Sequence, residues 1–267
     1  IFARSSPSPF TSMPWLLRAP VRRFVVPDIL ARYHGQRTVV LDLAAGTGDL
    51  TMAFARLAAP ASVLSTDFVP EPRTEARERT GLPGSPAILW VGRLHGKKDP
   101  MTALEGFARA LERLPGAHLS MVFREAPLLP GVEAFRRRSP LLADHIHLVG
   151  EVPHAELPAH FSAADLFLAS SPAEGSNFAL LEALACGTPP VVSDIPAHRA
   201  LTGEGAVGEL FAFGDAEACA RALVAAASWP SAETRSAVRG HFEKRLCWPV
   251  VARQAVHAYR SLAAGRG

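Results

Sequence analysis

The sequence lacks any apolar run of about 18 residues, the length that a membrane-spanning helix needs. Cysteine is also scarce, because only Cys186, Cys219 and Cys247 occur, and they form neither an even set nor a metal-binding spacing. These thiols indicate a reducing compartment and buried, unreactive positions. We therefore expect a cytoplasmic protein, with attachment to the inner face of the membrane as an alternative.

Lysine is almost absent as well, since the chain has only Lys97, Lys98 and Lys244, and arginine carries most of its positive charge. The arginines are scattered along the chain, which argues against a nucleic-acid partner. Neither an Asp-x-Asp motif nor a His/Cys cluster with ligand spacing is present, so no metal site is predicted. A hydrophobic content of 48% in 267 residues suits one large or two small domains.

The most informative stretch is residues 165–194, DLFLASSPAEGSNFALLEALACGTPPVVSD. Its apolar run Leu166–Ala169 predicts a buried strand, and a helix-period apolar pattern follows a polar loop. Ser176 or Asn177 can cap the start of that helix, and Gly187 lies where its C-terminal cap is expected. A second apolar strand follows the double proline. The stretch therefore predicts a strand–loop–helix–strand unit.

Ligands of doubly wound sheets bind at the carboxyl ends of strands, where helix N-termini offer free N–H groups. An anion such as a diphosphate would fit over residues 176–178. Glu174 and Glu182 lie around the same helix start, and carboxylates accept hydrogen bonds from hydroxyl groups. The pattern predicts a nucleotide-sugar site. An ordinary βαβ unit with solvated glutamates is the alternative.

The segment EGSNFALLEALACGTPPVVSD resembles the E-x7-E region of retaining glycosyltransferases of the GT-B fold, family 4 type. The resemblance covers about residues 68–267. It implies that Glu174 contacts the donor sugar and Glu182 the ribose. Ser176, Asn177 and Phe178 stand where the family usually has Gly-Phe-Gly-Leu, and this departure concerns the contacts to the sugar. The class of enzyme is unaffected.

The same resemblance extends upstream to Gly92-Arg93-Leu94, which closes a predicted strand. It implies that Gly92 borders the donor and that Arg93 and Lys98 hold its diphosphate, with Lys97 as a substitute for Lys98. Arginine presents a fork and lysine a point charge to phosphate oxygens. It also places the nucleotide base near residues 150–153, with Glu151 as a contact. The donor is a UDP-, GDP- or ADP-sugar, and no further cofactor is implied.

Predicted strands alternate with predicted helices along residues 87–215, which indicates a Rossmann-like, doubly wound parallel α/β sheet. The strands end beside polar residues, which would lie on one edge of the sheet: Arg93, Arg124, Glu151, Ser170 and Asp194. The segment 70–84 reads as a linker that ends in a turn. For His198 and Arg199 no partner is visible, so a surface or structural role is expected rather than acid–base chemistry.

A second segment, residues 38–51 (TVVLDLAAGTGDLT), resembles motif I of class I S-adenosylmethionine-dependent methyltransferases. It implies cofactor contacts by Asp42, Gly46 and Gly48, with Asp67 as the ribose-binding acid. A βα unit that merely packs is the alternative.

The combined prediction has a disordered segment 1–19, a truncated βαβ piece at 20–68 and a donor-binding domain at 69–267. The function implied is transfer of a hexosyl group, with retention, to a glycan, lipid or small-molecule acceptor. A complete enzyme of this class has a second, acceptor-binding domain, so we expect weak or no transfer by this chain alone. Two alternatives remain: a fragment that binds S-adenosylmethionine, and a nucleotide-binding scaffold without catalysis. A membrane surface is a further possible partner.

Overall fold

A computed structural model describes residues 68–247, 249–251, 253 and 254. The predictions for 1–19 and 20–67 lie outside these residues, including the methyltransferase-like positions Asp42, Gly46, Gly48 and Asp67. The sequence also predicts a last helix over 249–262, and most of it lies outside them as well.

Six parallel strands form one sheet in the described residues. They are β1 (Ala87–Gly92), β2 (His118–Phe123), β3 (Ile146–Gly150), β4 (Leu166–Ala169), β5 (Pro190–Ser193) and β6 (Glu209–Phe211). The strand order is β3-β2-β1-β4-β5-β6, and every neighbouring pair is parallel. The chain thus winds outward in both directions from the junction of β1 and β4, which confirms the doubly wound prediction.

Nine helices lie in the part of the chain that the structure describes between residues 68 and 247. They are α1 (Arg73–Thr80), α2 (Pro100–Ala110), α3 (Leu129–Arg136), α4 (Pro140–His145), α5 (Leu157–Ala163), α6 (Phe178–Ala185), α7 (Pro196–Thr202), α8 (Ala216–Ala226) and α9 (Ala232–Arg245). The sequence also predicts Asp99 and Asp215 as helix caps, and the structure confirms both: Asp99 accepts the Thr102 N–H at the start of α2, and Asp215 accepts the Ala218 N–H at the start of α8.

Helices pack on both faces of the sheet, and side chains alternate between the two faces along each strand, so each strand is buried on both sides. In β1, Ile88 and Trp90 face a cluster that includes residues of α2 and α8. Leu89 faces the opposite cluster, which includes residues of α5, α6 and α9. This two-sided burial explains why the strands read as continuous apolar runs in the sequence.

The prediction of a linker at 70–84 is wrong, because α1 forms there. Its sequence has little apolar periodicity, and only Ala76 of this helix is buried. The helix is held instead by charge: Arg73 and Arg77 both contact the carboxylate of Asp165, which also accepts the Ala87 N–H at 2.8 Å. Gly81, with φ of 64°, ends the helix in the left-handed conformation.

The apolar pattern of the sequence does not indicate two short helices that the structure contains, α4 and α7. Each has proline in its first turn, a position that proline favours because its ring pre-sets the helical φ. This signal was present in the sequence at Pro140 and Pro196. Neither segment is long enough to show a helical period, which is why pattern reading missed them.

Candidate functional site

A lysine–glutamate pair lies at the carboxyl ends of β1 and β4. Lys98 ends a 3₁₀ turn after β1, Glu174 lies in the loop after β4, and the Lys98 ammonium contacts Glu174 Oε1. Their side chains are only 21% and 12% exposed. Because β1 and β4 flank the point where the winding reverses, the pair occupies the position where doubly wound sheets bind ligands.

Two serines at the end of β4 fix this pair. Ser171 Oγ donates to Glu174 Oε1 at 2.7 Å. Ser170 Oγ donates to the carbonyl oxygens of Asp99 and Lys98, at 2.6 and 3.1 Å. Both serines are buried, so the turn that carries Lys98 is tied to the loop that carries Glu174.

The N-terminus of α6 opens beside this loop. Of the two predicted caps, Asn177 is the one used: its Oδ1 accepts the Leu180 N–H at 3.3 Å. Ser176 is exposed, and Phe178, the first residue of the helix, is 46% exposed. The first N–H groups of a helix have no acceptor within it, so this end attracts anions.

Glu182 lies one turn further along α6, where its side chain is 17% exposed. Burial raises the pKa of its carboxyl, and a contact with His154 Nε2 at 3.2 Å opposes that shift. His154 lies in the loop after β3, close to Gly150 and Glu151. The structure thus brings the predicted base-binding loop to the predicted ribose-binding glutamate. No sequence signal indicated His154.

Arg93 and Lys98 lie at opposite ends of one loop and contact different carboxylates. Arg93 follows Gly92, the last residue of β1, and its guanidinium lies 3.5 Å from the Glu125 carboxylate. Both side chains are more than half exposed. Exposed pairs of this kind are held weakly. Lys97, the predicted substitute, is exposed.

His198 is fully buried and hydrogen-bonded, which fits the structural role expected for it, although its partners were not visible in the sequence. Its Nε2 lies 2.9 Å from Asn177 Nδ2, and its Nδ1 lies 2.8 Å from the Ser193 carbonyl oxygen. Burial lowers the pKa of this imidazole. The expected surface role fits Arg199, which is half exposed and pairs with Asp194 and Glu204.

Two further features bear on ligands and location. Among the residues that the structure describes, no group of three or more His, Cys, Asp or Glu side chains could hold a metal ion. In the same residues, no helix has both the length and the apolar character that crossing a membrane requires.

Residues 85–228 match the family Glycosyl transferases group 1. Over 182 residues the chain is 32% identical to the phosphatidyl-myo-inositol mannosyltransferase of Mycobacterium leprae, covering 66% of this chain and 46% of that protein. Over 205 residues it is 33% identical to the D-inositol 3-phosphate glycosyltransferase of Geodermatophilus obscurus, covering 69% and 45%. The chain therefore spans about half the length of these curated relatives.

Among solved structures, HepE of Anabaena in complex with UDP superposes with a TM-score of 0.63. The sequence identity is 18%, and the superposition covers 88% of this chain and 66% of that one. This likeness concerns the fold.

Proposed function

The chain belongs to the family Glycosyl transferases group 1, and we propose that its residues 69–267 are the donor-binding domain of a retaining glycosyltransferase. The substrate is a nucleotide sugar, and a hexosyl group passes from it to an acceptor hydroxyl. One observation carries the proposal: the Lys98–Glu174 pair stands beside the N-terminus of α6, where the sheet reverses its winding. The curated relatives are named as glycosyltransferases, which supports the same class of reaction.

The diphosphate of the donor would lie over the start of α6. The free N–H groups there and the Lys98 ammonium both favour negative charge. Arg93 would swing from Glu125 to the same diphosphate, because an exposed ion pair costs little to break. Positive groups fixed in advance are most useful where charge develops during the reaction.

The two glutamates would hold the hydroxyl groups of the donor. Lys98 and Ser171 hold Glu174 Oε1, which fixes the carboxylate in place. Its other oxygen, Oε2, would accept hydrogen bonds from the sugar. Glu182 would accept hydrogen bonds from the ribose, and the loop with Glu151 and His154 would lie against the base. Phe178, half exposed at the helix start, would border the sugar.

In the transfer step, the bond between the anomeric carbon and the diphosphate oxygen breaks, and its electron pair leaves with that oxygen. The acceptor oxygen forms a new bond to the same carbon, and its proton passes to the departing diphosphate oxygen. Lys98, Arg93 and the start of α6 would stabilise the charge that accumulates on the departing diphosphate. The resemblance to retaining glycosyltransferases is the basis for proposing that the configuration at the anomeric carbon is retained.

The base of the donor and the class of acceptor are inferred from the relatives rather than from the geometry of the site. The HepE structure contains UDP, which supports a nucleoside diphosphate as the ligand, and we keep UDP, GDP and ADP as candidates. The relatives' names mention phosphatidyl-myo-inositol and D-inositol 3-phosphate, which supports the lipid and small-molecule classes of acceptor. A membrane surface would then lie near the acceptor.

The test is a thermal-shift panel of the purified chain with UDP, GDP, ADP and S-adenosylhomocysteine. A ligand that binds only the folded chain raises its melting temperature. We expect a shift with one or more of the nucleoside diphosphates. A shift with S-adenosylhomocysteine alone would instead assign the function to the methyltransferase-like segment, and no shift at all would favour a scaffold.

Two adjacent lysines supply a matched pair of variants. Lys98→Gln should weaken nucleoside diphosphate binding by about tenfold to a hundredfold, because a charge-assisted contact contributes about 1.5–3 kcal/mol. If Lys98 rather than its predicted substitute Lys97 holds the diphosphate, Lys97→Gln, at an exposed position next to it, should bind as the wild type does. Equal losses in both variants, measured by calorimetry, would mean that the diphosphate does not lie at Lys98.

A further inference from the structure

The donor-binding proposal gives no role to the buried imidazole of His198. This side chain lies on α7, behind the loop 171–177 that carries Glu174. Besides its contacts with Asn177 and the Ser193 carbonyl, its Nδ1 lies 3.2 Å from Ser193 Oγ. Its exposed fraction is 0%. A fully buried polar ring with partners at both nitrogens is a built feature of the interior.

The partners fix which atoms of this network carry protons. The Leu180 N–H can only donate, so the acceptor it meets on Asn177 is Oδ1, and the amide nitrogen faces His198. That nitrogen can only donate, so Nε2 of His198 is the unprotonated acceptor. The Ser193 carbonyl can only accept, so Nδ1 carries the hydrogen. Every polar atom is satisfied by one tautomer of a neutral imidazole.

The network reaches both ends of the site loop. At the far end, His198 holds Asn177, the residue that caps α6. At the near end, Ser193 Oγ donates to the Ser171 carbonyl oxygen at 2.6 Å, and Ser171 Oγ in turn donates to Glu174. Between these two fixed points lie residues 172–176, of which all but Glu174 are exposed.

We propose that His198 is a positioning residue, whose ring holds the N-terminus of α6 through Asn177 and the Glu174 loop through Ser193. It touches no substrate; it sets the separation between the start of α6, where the diphosphate binds, and the carboxylate that binds the sugar. This inference rests on the proposed donor site for its functional consequence, although the geometry of the network stands without it.

Burial lowers the pKa of the His198 ring. The hydrogen bond to the Ser193 carbonyl and the charge of Glu174 oppose that shift, and the charge of Lys98 adds to it. A second proton would sit on Nε2 and face the N–H group of Asn177, so two donors would meet. The cap of α6 would then shift, and the loop with it.

The first experiment compares His198→Asn with the control His241→Asn in the full chain. His241, on α9, also donates to a backbone carbonyl, that of Leu201 at 2.9 Å, near the C-terminal end of α7. In hydrogen exchange, we expect the amides of residues 172–180 to exchange about tenfold faster in His198→Asn and at the wild-type rate in the control. Unchanged exchange of these amides in His198→Asn would overturn the proposal.

Nucleotide affinity provides the functional readout. By calorimetry with UDP, GDP and ADP, we expect His198→Asn to lose about tenfold in affinity and His241→Asn less than twofold. If the wild type binds none of the three, the donor-site proposal fails, while the exchange experiment still decides on the network. Wild-type affinity in His198→Asn would overturn the positioning role.

A second variant avoids any cavity at His198. Asn177→Asp keeps a good cap, because aspartate also accepts the Leu180 N–H, but its other oxygen cannot donate to His198. In long-range ¹H–¹⁵N spectra, we expect a neutral ring with hydrogen on Nδ1 in the wild type and a doubly protonated ring in Asn177→Asp near neutral pH. A wild-type ring with its hydrogen on Nε2 would contradict the network.

Discussion

At the scale of single residues, Gly187 shows how one missing side chain lets a helix approach. It follows α6 with φ of 70°, in the left-handed region, and a Cβ there would lie 2.7 Å from the Arg235 carbonyl oxygen in α9. Both the conformation and the contact require glycine. The sequence reading placed a C-terminal cap at Gly187 from its position alone, and the structure confirms it.

Gly187→Ala should therefore lower the free energy of unfolding by about 1–3 kcal/mol, through backbone strain and a clash with main-chain atoms. Gly240 is the matched control, since it lies inside α9 and a Cβ there would meet nothing within 4 Å. Gly240→Ala should raise stability by about 0.5–1 kcal/mol. Urea denaturation of both variants decides, and a similar effect in the two would contradict the close approach.

The cysteines also belong to this scale. Burial raises the pKa of Cys186 and of Cys219 to about 12, so both thiols are protonated and unreactive. This agrees with the prediction of buried thiols made from their scarcity and spacing. Cys247 is partly exposed, so the prediction of a buried thiol is wrong for this one of the three.

At the scale of elements, the attachment of α1 depends on a single buried carboxylate. Asp165 is 4% exposed and faces both Arg73 and Arg77, the latter 22% exposed. The Arg77 guanidinium also donates to the carbonyl oxygens of Leu82 and Gly84, at 3.1 and 3.0 Å, just after the helix. One aspartate thus joins α1, the start of β1 and the start of β4.

Asp165→Asn should cost about 3 kcal/mol of stability, because it leaves partly buried arginine charge without its counter-ion. Glu71→Gln, which breaks the more exposed Glu71–Arg79 pair, should cost less than about 1 kcal/mol. Hydrogen exchange should show the loss in Asp165→Asn concentrated in α1. A cost below that of Glu71→Gln would mean that the helix is held by other contacts.

At the scale of the whole molecule, one buried and two partly buried histidines make stability depend on pH. Burial lowers the pKa of His118, His147 and His198, and His118 Nδ1 lies 2.8 Å from His147 Nε2 at the amino ends of β2 and β3. His145 stacks on His118 with ring centroids 4.4 Å apart. An unfolded histidine titrates near 6.5, above these folded values.

Between the folded pKa values and about 6.5, the unfolded chain binds more protons than the folded chain, so stability rises with pH. We expect the free energy of unfolding to fall as the pH drops below about 6.5 and to be insensitive to these rings above it. Glu182 acts in the opposite direction at lower pH, since burial raises the pKa of its carboxyl. Urea titrations at several pH values measure the slope.

The double variant His118→Asn/His147→Asn should flatten that slope, because it removes two of the three rings with a lowered pKa in the part of the chain that the structure describes. His95→Asn is the control, since His95 is exposed. An unchanged slope in the double variant would assign the acid sensitivity to other groups, with His198 the first to substitute next.

The sequence by itself determined the features that depend on neighbouring residues. Apolar runs gave the strands, for example Ala87–Gly92 and His118–Phe123, and the side chains of Asp99 and Asp215 gave the starts of their helices. These signals are local, because periodicity and capping act within a few residues. The segment with Glu174 and Glu182 was enough to indicate the family.

Only the tertiary structure decided what depends on contacts between distant parts of the chain. Asp165 holds α1 across 88 residues through Arg77, Lys98 meets Glu174 across 76, and His154 meets Glu182 across 28. The ring of His198 finds Asn177 across 21 residues. The periodicity of apolar residues in the sequence does not indicate such pairs, because they form only when the strand order brings distant loops together.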